Sequence, residues 1–193
     1  MERWFDALLA TPGLTGIRDP AEARQTLVEG ALAALSLLGD GPVVDVGAGG
    51  GSPGVPLAAA RPDLEFDLLE ATAKKCRFLE AATRELPNVS VVCARAEEHA
   101  GGEGRDRYGT ALARALAPPP VAAEWTLPLV RPGGRAVLFV GASAQVDGVR
   151  RVAERLAAEL DKAPAGFVVL RKTGPTPEGF PRRPGVARKR PLA

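Results

Sequence analysis

The run Val43-Val44-Asp45-Val46-Gly47-Ala48-Gly49-Gly50-Gly51-Ser52-Pro53-Gly54 decides the fold. It opens as a short β-branched apolar stretch, the pattern of a strand buried on both faces. It then dissolves into glycines, which permit a tight turn and close backbone approach to a ligand. Ser52 reads as a helix N-cap and Pro53 as the first helical residue, so a helix should start there with its positive end toward the loop. A strand, a glycine turn and a helix N-terminus form a cradle of the nucleotide-binding type.

Working outward, the pattern alternates. Met1 to Ala10 predicts a short helix burying Trp4, Phe5, Leu8 and Leu9, and Asp19-Pro20 starts a second helix from about Ala21 to Leu38. Beyond the cradle the spacing predicts a helix at Val55–Ala60, a strand at Leu64–Leu69, a helix at Ala73–Leu86 and a strand at Val89–Cys93. A polar Gly-rich loop from Ala100 to Tyr108 follows. Next come a strand at Thr110–Arg114, a helix at Pro118–Val130 with Trp125 inside, a strand at Gly134–Val140, a helix at Gln145–Leu160 and a strand at Phe167–Leu170. Strands alternating with helices imply an α/β chain, Rossmann-like, with a mostly parallel central sheet flanked by helices and a short helical N-terminal segment. The expected division is a helical segment at 1–39, a ligand-binding domain at 40–172 and a basic Pro/Arg-rich tail at 173–193. In such sheets ligands lie outside the carboxyl ends of the strands.

A chain of 193 residues with 46% hydrophobic and 25% charged residues has the composition of a globular domain. No apolar run is long enough to span a membrane, and no basic-then-apolar leader is visible, so a cytoplasmic protein is expected. Cys76 and Cys93 lack metal spacing and read as two reduced thiols, and no metal site is expected. The net charge of +2 hides an asymmetry: from Arg171 onward there are seven Lys and Arg residues against one acid, Glu178. A basic tail on a net-negative body suggests polyanion contact; otherwise it is a solvated, partly disordered terminus.

Two ligand templates compete for the cradle. Gly49, Gly51 and Gly54 satisfy the dinucleotide pattern G-x-G-x-x-G, which is unspecific in so glycine-rich a run. Asp45, Gly47, Gly49 and Gly51 fill the S-adenosylmethionine pattern, an acid at the strand end two residues before G-x-G-x-G. Asp45 would anchor the cofactor's ammonium or hold the loop. Glu70, at the end of the second strand, faces the same crevice and can accept from ribose hydroxyls. After the third strand, Ala96 and Glu97 could read an adenine edge. Three acid-tipped strands suit an adenosyl ligand without phosphates better than a pyrophosphate, so S-adenosyl-L-methionine is the expected cofactor. Arg114, at the fourth strand tip, can pair with a carboxylate, a phosphate or guanine itself. An ordinary ion pair with Asp106 or Glu124 is its structural alternative.

Several motifs in this order resemble the bacterial 16S ribosomal RNA guanine-N7 methyltransferase family, RsmG or GidB. Leu14 to Pro20 is similar to its L-T-x-I-R-D-P, and Asp45 to Pro56 to its D-V-G-x-G-x-G-x-P-G-x-P. Lys74 to Leu79 is similar to its K-K/R-x-x-F-L helix, Ala113-Arg114-Ala115 to its S/A-R-A, and Lys172 to Pro177 with Pro181 to Gly185 to its K-T-x-P-T-P and P-R-R-x-G ending. The resemblance implies a class I methyltransferase with cofactor contacts at Gly47, Ser52, Ala96, Glu97 and Arg114, with Glu70 where the family usually has Asp. Arg114, beside the expected methyl position, is the candidate catalytic residue. Lys74, Lys75, Arg77, Lys172, Arg182 and Arg183 are candidate RNA-backbone contacts. The expected partner is 16S ribosomal RNA or the small ribosomal subunit, approached by a monomer without membrane or metal.

The chain also departs from that pattern. Thr26 to Gly30 stands where the family has H-x-L-D-S, Val140-Gly141 replaces K-G, and only a turn fits between Leu160 and Phe167 where a sixth strand is usual. These differences keep open a methyltransferase acting on a small molecule or protein, and a non-catalytic RNA-binding or assembly factor. His99, the sole histidine, reads as exposed and incidental.

Overall fold

The computed structural model describes residues 1–141 and 147–192. Seven strands form one sheet in the order β3-β2-β1-β4-β5-β7-β6. They are β1 (Val43–Val46), β2 (Phe66–Glu70), β3 (Val89–Cys93), β4 (Tyr108–Arg114), β5 (Val130–Phe139), β6 (Ala158–Asp161) and β7 (Phe167–Lys172). The pairs among β1 to β5 are parallel, whereas β7 runs antiparallel to both β5 and β6. The order reverses at β1, so the carboxyl ends of β1 and β4 open a crevice at the switch point.

Strand alternation sends side chains to two cores. Val44, Val46, Ala111, Ala113 and Leu138 pack under α7 (Pro119–Thr126) and α8 (Asp147–Arg155). Val43, Phe66, Leu112 and Val137 pack under α4 (Gly54–Ala60) and a 3-10 turn at Leu35–Leu37. A third cluster joins Trp4, Phe5 and Leu8 of α1 (Glu2–Ala10) to Leu68 and to Leu79 of α5 (Ala73–Ala82). The indole N–H of Trp4 donates to Gly50 O at 2.7 Å, so the N-terminal segment is pinned to the glycine turn.

Several expectations differ from the structure. The second helix is not continuous: α2 (Pro20–Arg24) passes into a π turn at Gln25–Glu29, a short α3 (Gly30–Leu32) and the 3-10 turn. Gly30 N–H reaches back to Gln25 O, leaving Thr26 O without its ordinary partner four residues on. The expected helix at Gln145–Leu160, whose first two residues lie outside the described ones, ends at Arg155. Val149, Val152, Ala153 and Leu156 form its buried stripe, but Ala157 takes a left-handed φ of +52° and the chain turns back as β6. The supposedly missing strand therefore comes from the end of the expected helix.

Cys76 and Cys93 are bonded as a disulfide, with Cα atoms 5.8 Å apart, rather than being separate thiols. The β2–β3 register sets Cys93 beside Glu70, and the first turn of α5 returns Cys76 to the same place. The tail is not a solvated terminus: α9 (Val186–Lys189) and the segment before it pack on the body. Arg105 donates to Phe180 O at 2.5 Å and to Thr176 O at 2.8 Å. His99 is not incidental either. Its Nε2 lies 2.7 Å from the Tyr108 hydroxyl, which donates to Asp67 at 2.7 Å, closing a chain of polar groups at the amino end of the sheet.

Candidate active site

The glycine turn is held by its own surroundings. Gly47 and Ala48 donate to Leu69 O at 2.7 and 3.0 Å, and Gly51 donates to Ala48 O at 2.7 Å. Gly49 donates to Glu70 Oε2 at 3.0 Å, and Gly54 to Asp45 Oδ2 at 2.8 Å. A pyrophosphate cradle offers such N–H groups to the ligand; here five of them are engaged inside the protein. Gly47 has φ +73°, and a Cβ there would come within 2.4 Å of Leu116 Cδ1, so the position requires glycine.

A cavity of about 350 Å³ opens beside this turn. Gly47, Glu70, Ala96 and Glu97, all anticipated from sequence, line it. Sequence reasoning missed Leu116, Trp125 and Arg188 as wall residues, and Lys75, expected to meet RNA, also borders this cavity. Leu116 adjoins the Ala113-Arg114-Ala115 motif. Trp125 reads from the helical period as plain core, and Arg188 arrives only through folding of the tail.

Glu70, 7% exposed, accepts from Gly49 N–H and, through Oε1, from Thr72 N–H at 2.8 Å. Each oxygen retains a lone pair for a ribose hydroxyl. Glu97, on α6 (Ala96–Ala100), faces the cavity but also accepts from Gly185 N–H at 2.9 Å, which ties the tail to the rim. The indole Nε1 of Trp125 is a buried side-chain polar atom with no partner among the described residues. A buried orphan donor carries a penalty that an acceptor on a bound ligand would remove.

Asp45, Gly49, Gly51 and Ser52 do not line this cavity. Asp45 is 1% exposed and holds the loop rather than reaching a ligand. Burial raises its carboxyl to about 7, opposed by the Gly54 N–H bond and the positive charge of Arg114. Ser52 does not cap a helix: α4 begins at Gly54, and the Ser52 hydroxyl donates to Leu27 O at 2.7 Å.

Arg114 also lies outside the first cavity and lines a second one, of about 460 Å³. Its Nη1 donates to Ser52 Oγ at 3.2 Å and its Nη2 to Thr26 O at 2.9 Å, the carbonyl released by the π turn. Its suggested ion pairs with Asp106 or Glu124 are not formed, because those acids serve the tail. Lys172, fully buried, donates to Leu127 O, Thr176 Oγ1 and Asp106 at 2.8, 2.7 and 3.3 Å. Burial lowers its ammonium from the usual lysine range, partly offset by Asp106. Arg182 forks onto Glu124 at 2.5 and 2.6 Å. Lys172 and Arg182 are therefore structural and not RNA contacts. Lys74, Arg77 and Arg183 are exposed.

The parallel sheet, its switch-point crevice and the acid-rimmed glycine turn define a class I S-adenosylmethionine-dependent methyltransferase. The fold resembles the Thermus thermophilus 16S rRNA N2 G1207 methyltransferase RsmC, solved with AdoMet and guanosine. The TM-score is 0.57 at 17% identity, over 86% of this chain and 42% of that one. It also resembles Methanocaldococcus jannaschii TYW2 with AdoMet, at a TM-score of 0.56 and 16% identity, over 76% and 73% of the two chains. Residues 7–164 match the family model of GidB, rRNA small subunit methyltransferase G. Proteins named ribosomal RNA small subunit methyltransferase G from Synechococcus elongatus and Symbiobacterium thermophilum are 37% and 36% identical, over 93% of this chain and 82% of each relative. The chain belongs to the rRNA small subunit methyltransferase G family.

Proposed function

We propose that this protein transfers the methyl group of S-adenosyl-L-methionine to N7 of a guanine in 16S ribosomal RNA, working on the small subunit in the cytoplasm. One observation carries the reading: an acid-rimmed cavity, whose glycine turn keeps its N–H groups for itself, adjoins a cavity holding a guanidinium, and Ala115 lines both. The relatives at 36–37% identity across nearly the whole chain favour this over a small-molecule enzyme or a non-catalytic assembly factor.

The residues present fit the cofactor. Glu70 would hold the ribose and the Ala96–Glu97 segment the adenine, with Trp125 as part of the wall. When bound, the cofactor supplies an electrophilic methyl on a positively charged sulfur. Guanine N7 already carries a free lone pair, so no side chain has to remove a proton. Asp45, turned inward onto Gly54, is not placed to act as a base. The protein aligns the two reactants and keeps water away from them. Lys74, Arg77 and Arg183, exposed, with Lys75 and Arg188 at the cavity rim, are the proposed contacts to RNA phosphates.

The test is transfer of labelled methyl to small subunits lacking the modification, with free nucleosides and subunit proteins as controls. We expect the label in 16S RNA as 7-methylguanine. Label entering protein, or none entering RNA while cofactor binding persists, would reject the reading.

A further inference from the structure

The geometry points to the second cavity as the seat of the target base, selecting guanine over adenine through Arg114 and an aromatic pair, Phe139 and Phe167. This rests on the function proposed above and assigns residues to its substrate half. Phe139 ends β5 and Phe167 begins β7, and the antiparallel register sets them opposite each other, with ring centroids 4.9 Å apart and planes at 64°. The Arg114 guanidinium carbon lies 5.5 Å from the centroid of the Phe139 ring. Gly30, Ala33 and Gly166 complete much of the wall without bulk. A Cβ on Gly30 would stand 3.7 Å from Arg114 Nη2, an ordinary contact, so Gly30 lies directly beside the guanidinium.

Aromatic rings beside a guanidinium, in a slot lined by small residues, form a setting for an unstacked nucleobase. The site is joined to the cofactor side by a single residue. Ala115 has φ +50° and lines both cavities, so Arg114 faces the second cavity while Leu116 faces the first. A methyl group moving between the cavities crosses at that point.

Arg114 sets the preference between purines. Two of its five N–H groups are held by Ser52 and Thr26, and the guanidinium cannot accept a hydrogen bond. A remaining N–H can donate to guanine O6 while leaving the N7 lone pair free. Adenine presents an amino donor at the position of O6 and meets a donor-only partner. In the transfer, the N7 lone pair forms the new N–C bond. The sulfur keeps the electron pair of the broken S–C bond, and the positive charge passes from sulfur to the base with no proton moved. Ring faces at this position favour a base becoming cationic.

The test uses the full-length protein with Phe139→Leu, Phe167→Leu and the ring-retaining Phe139→Tyr, each checked for unchanged thermal unfolding. On small subunits each Leu variant should lower kcat/KM by about 5- to 100-fold, the range for losing a base–aromatic stack, with the cofactor Kd unchanged. Phe139→Tyr, which keeps the ring face, should lose less than Phe139→Leu. A Leu variant transferring at the wild-type rate, or one whose loss follows cofactor affinity, overturns the assignment. A second measurement titrates guanosine 5′-monophosphate and adenosine 5′-monophosphate into the protein saturated with S-adenosylhomocysteine. The guanine nucleotide should bind at least tenfold tighter and weaken in the Leu variants. If the wild-type protein labels no ribosomal RNA, the proposed function fails and this titration decides the cavity: no preference, or a preference indifferent to both variants, overturns it.

Discussion

On one side of Ala115 the wall carries Glu70, Glu97 and Trp125. On the other it carries Arg114 and two phenylalanine rings. The first side is rigid because the glycine turn bonds to itself and to Asp45 and Glu70. The second is held by two hydrogen bonds from one guanidinium to a hydroxyl and a carbonyl. Adjacent cavities of opposite character let one small domain hold a cationic donor and a neutral acceptor without either entering the other's place. Damage to one side should therefore leave the other intact.

The largest separation is expected from Gly47→Val. A side chain at φ +73° meets Leu116 within 2.4 Å and fills the first cavity. Cofactor affinity measured by calorimetry should fall at least about 100-fold, the scale of several lost contacts, while guanine-nucleotide binding in the second cavity persists. Arg114→Ala should do the converse. Transfer to small subunits should drop by about 100-fold, as for the loss of a charged substrate contact, with the cofactor Kd changed less than about threefold. A large loss of cofactor affinity in Arg114→Ala would break the contrast between the two sides.

Neighbours in the tail sharpen it further. Arg182→Ala leaves the carboxylate of Glu124, 4% exposed, without its partner, and should cost about 2 kcal/mol, near 5 °C in Tm. Arg183→Ala should leave Tm unchanged and reduce the salt slope of RNA binding by about one. Equal effects of the two on either measurement would refute the division between structural and RNA-facing bases.

A further effect, on neither cavity, concerns pH. The folded carboxyl of Asp45 titrates near 7, above its unfolded value of 3.8. A raised folded pKa means that its contribution is fully present below about pH 4 and is lost as pH rises through 7. Without cofactor, the Tm of the wild type should fall relative to Asp45→Asn by roughly 10 °C between pH 4 and pH 8, from about 1.4 kcal/mol per unit of raised pKa. A constant difference across that range would show that Asp45 does not titrate there.

Much of this was legible in the chain. Short β-branched runs separated by helical periods announced β1 to β5 and β7, and Glu70 at the end of β2 with Glu97 after β3 announced an adenosyl site. Gly47, Glu70, Ala96 and Glu97 follow from their places directly after strands, since strand ends in a parallel sheet open on one crevice. The roles of Asp45 and Ser52 were less legible. An acid at a strand tip can face a ligand or turn inward to a helix N–H, and the residue type is the same either way. β6 escaped because its apolar residues continue the period of α8, and its bonds go to β7, a strand that follows only after a turn. Lys172 and Arg182 look like RNA contacts because charge in sequence carries no information about burial; Asp106 and Glu124 lie far away along the chain.

The α/β class, the glycine turn, the cofactor type and the family are all written in the order of residues along the chain. All of these depend on local periodicity, on backbone freedom at glycine and on residues close together in the chain. Folding in three dimensions places Arg114 at a separate cavity, brings Phe139 to Phe167, closes the tail over the cofactor side and joins the two cysteines. Each depends on strand register and on contacts between distant segments, which packing the whole chain around one sheet sets and no local pattern encodes.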